Sequence, residues 1–126
     1  MTMTTKLILL AVFGALGTIA RAEMSALVQR LSGANFPWGT VSVNLVGSLL
    51  FGLVWTAAAG SARVTDVRLV ALTGFMGAFT TFSTLMFDTE QLAEASRFGA
   101  AAGNLILQNV AGLLCMVVGL ALGRAL

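Results

Sequence analysis

Apolar residues run along this chain in four long blocks parted by short polar interruptions. A bilayer's hydrocarbon core takes about 20 mostly apolar residues to cross as a helix. The blocks meet that length and predict membrane-spanning helices over about 6–28, 38–59, 68–93 and 98–122. The interruptions carry turn chemistry. Arg30-Leu-Ser-Gly-Ala-Asn-Phe-Pro37 holds the only proline and reads as a loop leading into a helix start. Residues 60–66, Gly-Ser-Ala-Arg-Val-Thr-Asp, read as a second, charged turn. Asp88, Glu90, Glu94 and Arg97 mark the end of the third block. Lys6 ahead of an apolar run resembles a signal peptide, but Arg21 and Glu23 put charge where a cleavage region is small and neutral. The first block is therefore read as a mature helix. The expected fold class is an all-α membrane protein, a single four-helix domain over 1–126 with no soluble domain beside it.

Composition strengthens this reading. Residues of the AVILMFWYC set make up 58% of the 126 and charged residues only 10%. A soluble domain this small could not hide so much apolar surface, so the solvent is lipid. One cysteine and no histidine exclude a disulfide scaffold and the usual zinc sites, and remove the commonest proton shuttle. A net charge of +2 is too small for nucleic-acid binding. Four short helices enclose little space alone, so an oligomer is expected. Lys6, Arg63, Arg68 and Arg124 would lie on one side, and Arg30 and Arg97, with or without Arg21, on the other. That bias points weakly to cytoplasmic termini, and it equally allows insertion both ways and pairing with an inverted copy.

Polar residues inside lipid need a reason, because an unpaired polar group there costs several kcal/mol. Thr40, Asn44 and Ser48 fall at i, i+4, i+8 on one face of the second helix, with Gly47 and Gly52 nearby. Asn104, Gln108 and Gly112 repeat the spacing on the fourth, with Asn109 on a neighbouring face. Such stripes serve as helix–helix glue, or as a track of neutral donors that replaces water around an anion. Gly119 and Gly123 read as a packing face.

The third block is the most informative. Thr73-Gly-Phe-Met-Gly-Ala-Phe-Thr-Thr-Phe-Ser-Thr84 sets two glycines and five hydroxyl residues mid-span, a poor helix former. It reads as a kinked packing helix, or as a broken one whose freed carbonyls hold a cation. Phe75, Phe79 and Phe82 fall on one face, at i, i+4, i+7. Arg21 lies roughly 22 Å along its helix from Lys6, near the second interface, where it either snorkels or draws anions to a vestibule.

These residues resemble the Fluc (CrcB) fluoride channels over essentially the whole chain. The likeness rests on Gly14-Ala-Leu-Gly17-Thr-Ile-Ala-Arg21, on Trp38-Gly-Thr40-Val-Ser-Val-Asn44-Leu-Val-Gly47 and, most specifically, on Gly77-Ala-Phe-Thr80-Thr-Phe82-Ser-Thr84. The resemblance implies an antiparallel, dual-topology dimer of identical or homologous subunits with two narrow pores. It implies a central structural Na+ held by the backbone carbonyls of Gly77 and Thr80. Asn44 would contact fluoride, with Thr40, Phe82, Ser83 and Thr84 along the pore and Arg21 and Asp88 at the vestibule. Ser48, Asn104, Gln108 and Leu85 are weaker pore candidates. Leu85 stands where the family usually has a second phenylalanine, Met86 where a serine is common, and Asn104 and Gln108 where a tyrosine and a serine are common.

The function implied is passive fluoride export through a multi-pass protein of the bacterial inner membrane. No phosphate-binding loop signals a fuel, and no enzyme activity is expected. The alternative is a four-helix dual-topology multidrug or guanidinium exporter driven by protons. That chemistry needs a deep carboxylate in the first helix, where only Glu23 offers itself. A non-transporting assembly factor, with its polar stripes serving as glue, is a third class.

Overall fold

The fold comes from a computed structural model that describes residues 1–57, 66 and 68–126. The charged turn read over 60–66 lies outside these residues except for Asp66. Every regular element among the described residues is helical, and four helices are long and apolar enough to cross a membrane.

Helix α1 runs Met3–Ser32. It outlasts the apolar block at both ends because each end is capped. The Thr2 hydroxyl accepts the Thr5 N–H at 3.2 Å, and Gly33 stops the helix in the left-handed region at φ 57°. The Gln29 side chain then fixes the connection. Its Nε2 donates to Ala34 O and Phe36 O, and its Oε1 accepts the Gly39 N–H. Helix α2, Trp38–Ala57, begins just past Pro37, where the missing proline N–H costs nothing.

The third span is composite. A π-helical segment α3, Leu69–Met76, leads into a short turn α4, Gly77–Phe79. Thr80 (φ −81°, ψ 158°) and Thr81 (φ −149°, ψ 114°) are extended, and helix α5, Phe82–Glu94, follows. A three-residue turn, with Ser96 at φ 58°, leads to α6, Phe98–Arg124.

α2 is the hub. Its largest contact is with α6, and it also touches α1. α3 and α4 pack on α1, whereas α5 packs on α6. The third span thus changes neighbours at the two extended residues. Phe75 and Phe79 stack with ring centroids 5.8 Å apart and Phe79 is buried, but Phe82 is 69% exposed. The single aromatic face expected from the spacing of Phe75, Phe79 and Phe82 does not form, because the extended residues end the helical register between Phe79 and Phe82.

The distribution of polarity differs from that of a soluble protein. Leu7, Ile8, Leu16, Ile19, Ile106 and Leu113 are among many large apolar side chains exposed on the outside. Thr40, Thr81, Asn104 and Gln108 are buried. Lipid as solvent accounts for both, since the outer face has no water to avoid and each inner polar group must find a partner.

Candidate functional site

The site is organised around Asn44. Its Oδ1 accepts the Thr81 N–H at 2.8 Å and its Nδ2 donates to Thr81 O at 3.1 Å. One side chain of α2 thereby pairs with both backbone groups of an extended residue, much as a neighbouring strand would. The Thr81 hydroxyl caps α5 by accepting the Thr84 N–H at 3.2 Å. The break leaves the carbonyls just before it without helical partners, those of Gly77 and Thr80 among them. A continuous helix would send the Thr81 N–H to Gly77 O and the Thr84 N–H to Thr80 O. Both donors are diverted, one to Asn44 and one to the Thr81 side chain. Gly77 is exposed and Thr80 half-buried. Hard neutral oxygens of this kind suit Na+ or a similar cation. Among the described residues no group of three or more His, Cys, Asp or Glu could hold a metal instead.

From Asn44 a chain of side chains crosses to α6 and back to α5. Asn44 Nδ2 donates to Gln108 Oε1 at 2.6 Å, and Gln108 Nε2 donates to Asn104 Oδ1 at 2.8 Å. Asn104 Nδ2 donates to Thr89 Oγ1 at 3.0 Å, and that hydroxyl donates to Leu85 O at 2.7 Å. Thr81 N–H can only donate and Leu85 C=O can only accept, and the chain between them runs with a single polarity. Asn104 is fully buried and Gln108 nearly so; every link is charge-free.

Two clefts flank this network. One, of about 270 Å³, is lined by Asn44, Ser48, Thr80, Phe82, Leu85 and Gln108, among others. The second, about 570 Å³, lies by the α1–α2 connection and includes Thr40, Thr84, Asp88 and Arg97. There Thr40 Oγ1 donates to Asp88 Oδ2 at 2.5 Å, a charge-assisted bond. Thr40 and Asn44, one turn apart on α2, therefore serve different clefts.

Other candidates sit less centrally. Ser48 lines the first cleft, but its hydroxyl turns back to Asn44 O at 2.8 Å. Ser83 is exposed, with its Oγ 3.3 Å from Thr81 Oγ1. Asn104 is in the relay yet lines neither cleft, and half-buried Arg21 also lines neither. Sequence reasoning passed over Thr81, Thr89 and Gln29 as site or positioning residues. Thr81 stood inside the quoted motif, but its buried backbone pairing has no local signature. Thr89 was masked by its acidic neighbours Asp88 and Glu90.

The sequence matches the family model described as CrcB-like protein, Camphor Resistance (CrcB), over residues 8–120. Curated relatives named fluoride-specific ion channel FluC align almost end to end. The one from Solidesulfovibrio magneticus is 50% identical over 123 residues, covering 97% of this chain and 98% of the relative. That from Nitrosococcus oceani is 46% identical with the same coverage. One from Nitratidesulfovibrio vulgaris is 43% identical over 122 residues, covering 94% of this chain and 97% of its own.

Proposed function

This chain belongs to the CrcB-like family, and on that premise we propose that it is a fluoride-selective channel, not an enzyme, and exports the anion passively from the cytoplasm. The observation that carries the reading is the near-full-length likeness to proteins named fluoride-specific ion channels. The interior chemistry supports it. A channel for a strongly hydrated anion needs donors good enough to replace water and weak enough to release the ion. Neutral amides and hydroxyls, set in an apolar shell, meet that requirement, whereas a buried arginine would hold the anion.

The working unit in this reading is an antiparallel dimer, of two copies or of this chain with a homologue, in the bacterial inner membrane. Two pores run beside the subunit contact. Fluoride passes the cleft at Asn44 and Phe82, with Ser83 and Thr84 on the same helix, and reaches the Thr40–Asp88 end. Phe82 fits a lining role because its exposed ring can turn a partly positive edge to an anion. Arg21 raises the local concentration of anions at the vestibule. Gly77 and Thr80 carbonyls, released by the diversion of two N–H groups, would hold Na+ together with the same pair from the second copy. Bound there, the cation would supply a fixed positive charge and tie the copies together. Glu23, the carboxylate that a proton-driven cation exporter would use, is exposed on α1.

Fluoride efflux from liposomes holding this one purified polypeptide tests the proposal. Fluoride should leave and chloride should stay. Efflux of a lipophilic cation under a proton gradient, with no fluoride flux, would replace this reading by the exporter.

A further inference from the structure

The relay Asn44–Gln108–Asn104–Thr89 raises a question that the channel reading leaves open. Fluoride only accepts hydrogen bonds, so any group that binds it must offer a donor. Both Asn44 Nδ2 protons are already engaged, one by Thr81 O and one by Gln108 Oε1. Ser48 and Thr80, which also line the cleft, give their hydroxyl protons to Asn44 O and Met76 O, and Asn109 at the same cleft gives one of its two amide protons to Leu105 O. Gln108 presents to Asn44 an acceptor oxygen, the wrong pole for an anion.

The links differ in how firmly their polarity is held. Asn44 is fixed, because Thr81 N–H and C=O grip its amide from both ends. Gln108 and Asn104 each hold their polarity only through the next link. The relay ends on Thr89, whose hydroxyl can give or take a hydrogen bond. Its present acceptor, Leu85 O, lies one turn back in α5 and keeps the helical bond from the Thr89 N–H if the hydroxyl turns away. Rotating that hydroxyl to donate to Asn104 Oδ1, and flipping the Asn104 and Gln108 amides, reverses the Thr89–Asn104 and Asn104–Gln108 links, sets Gln108 Nε2 opposite Asn44 Nδ2 and orphans no backbone group.

We propose that fluoride binding drives this reversal, so that Gln108 Nε2 and Asn44 Nδ2 form a two-amide fluoride site in the cleft, with Thr89 as the terminus that permits the flip. This rests on the channel reading. At rest the relay satisfies the site with its own oxygen; on arrival of the anion, Gln108 changes from acceptor to donor. The anion takes the place of Gln108 Oε1 against Asn44, and no proton is transferred. Asn104, which lines neither cleft, acts as a positioning residue for Gln108.

Fluoride flux measured against concentration, with amide NMR of the wild-type protein, tests this. Gln108→Met keeps length and loses the donor. It should raise the half-saturating fluoride concentration by about tenfold or more, the weight of a hydrogen bond to a charged group. If Gln108 only caps Asn44, removing it frees a donor and the half-saturating concentration falls. A fall or no change overturns the proposal. In the wild-type protein, fluoride should shift the Gln108 side-chain NH2 signals together with those of Asn44. Movement of Asn44 alone also overturns it, and this arm does not depend on how well a variant folds. A wild-type protein that conducts no fluoride sinks the channel reading and this proposal together; a conducting one with an unresponsive Gln108 sinks this proposal alone.

Discussion

The contact between α2 and α6 has two halves built on opposite principles. Toward Ala57 it is a seam of small residues. Gly52 lies against Met116 and Leu120 backbone, Gly119 against the Leu49 carbonyl, and Gly123 against Leu53 and Thr56. Toward Trp38 it is held by amides, with Asn44 bonded to Gln108 and Gln108 to Asn104. In lipid no hydrophobic force drives helices together, so close packing and hydrogen bonds must do it. The glycine half relies on dispersion across closely approaching backbones, which has one good arrangement. The amide half relies on groups that can exchange one partner for another. In the proposed channel, rigidity at one end of the same helix pair leaves the other end free to handle an ion.

The largest effect should come from filling the glycine seam. A Cβ on Gly119 would run into Leu49 backbone, which has no room to yield. Gly119→Leu should cost about 3 kcal/mol or more of fold stability, at the upper end of overpacking penalties. Thermal unfolding in detergent would show it, and loss of flux should track loss of folded protein. An intact, fully conducting Gly119→Leu channel would mean that the seam is not close-packed.

On the amide half the damage should be to conduction before stability. Asn44→Asp replaces a donor by a charged acceptor facing Gln108 Oε1 and Thr81 O. It repels the anion and unpins the extended residues at once. Fluoride flux per folded protein should drop by about a hundredfold, consistent with roughly 3 kcal/mol for a charged group left without its bonds. Unchanged flux in folded Asn44→Asp would remove Asn44 from the path.

The contrast between the halves also explains what could be read from the chain. Four membrane-length helices were legible because lipid demands long apolar runs and nothing else in the chain resembles them. The Asn104–Gln108 stripe was legible because i, i+4 spacing is local. Its partners were not, since Asn44 and Gln108 lie 64 positions apart and Asn44 and Thr81 lie 37 apart. Nor did periodicity reveal that Thr40 would turn to Asp88 while Asn44 turned to Thr81, because adjacent turns of one helix can face different neighbours. The aromatic stripe failed for a related reason: spacing arguments assume one continuous helix, and two extended residues suspend that assumption.

The smallest effect on the chain's own fold is expected at Gly77, and it separates the subunit from what lies outside it. Unlike Gly119, Gly77 is exposed, and a Cβ there would meet only Leu72 O at 3.7 Å, an ordinary contact. Its φ of −63° suits any residue. Gly77→Ala should therefore leave subunit stability within about 0.5 kcal/mol, or raise it slightly through better helix propensity. If a second copy and a shared Na+ sit against the Gly77 carbonyl, the added methyl intrudes on that contact instead. Dimer affinity should then fall by about tenfold, roughly 1.4 kcal/mol, with the subunit's melting behaviour unmoved. Dimerisation measured in lipid, with Na+ and with a large organic cation in its place, distinguishes the cases. Equal dimer affinity for Gly77→Ala and the parent chain in both salts would place the subunit contact elsewhere on the bundle and leave the released carbonyls without a cation to hold.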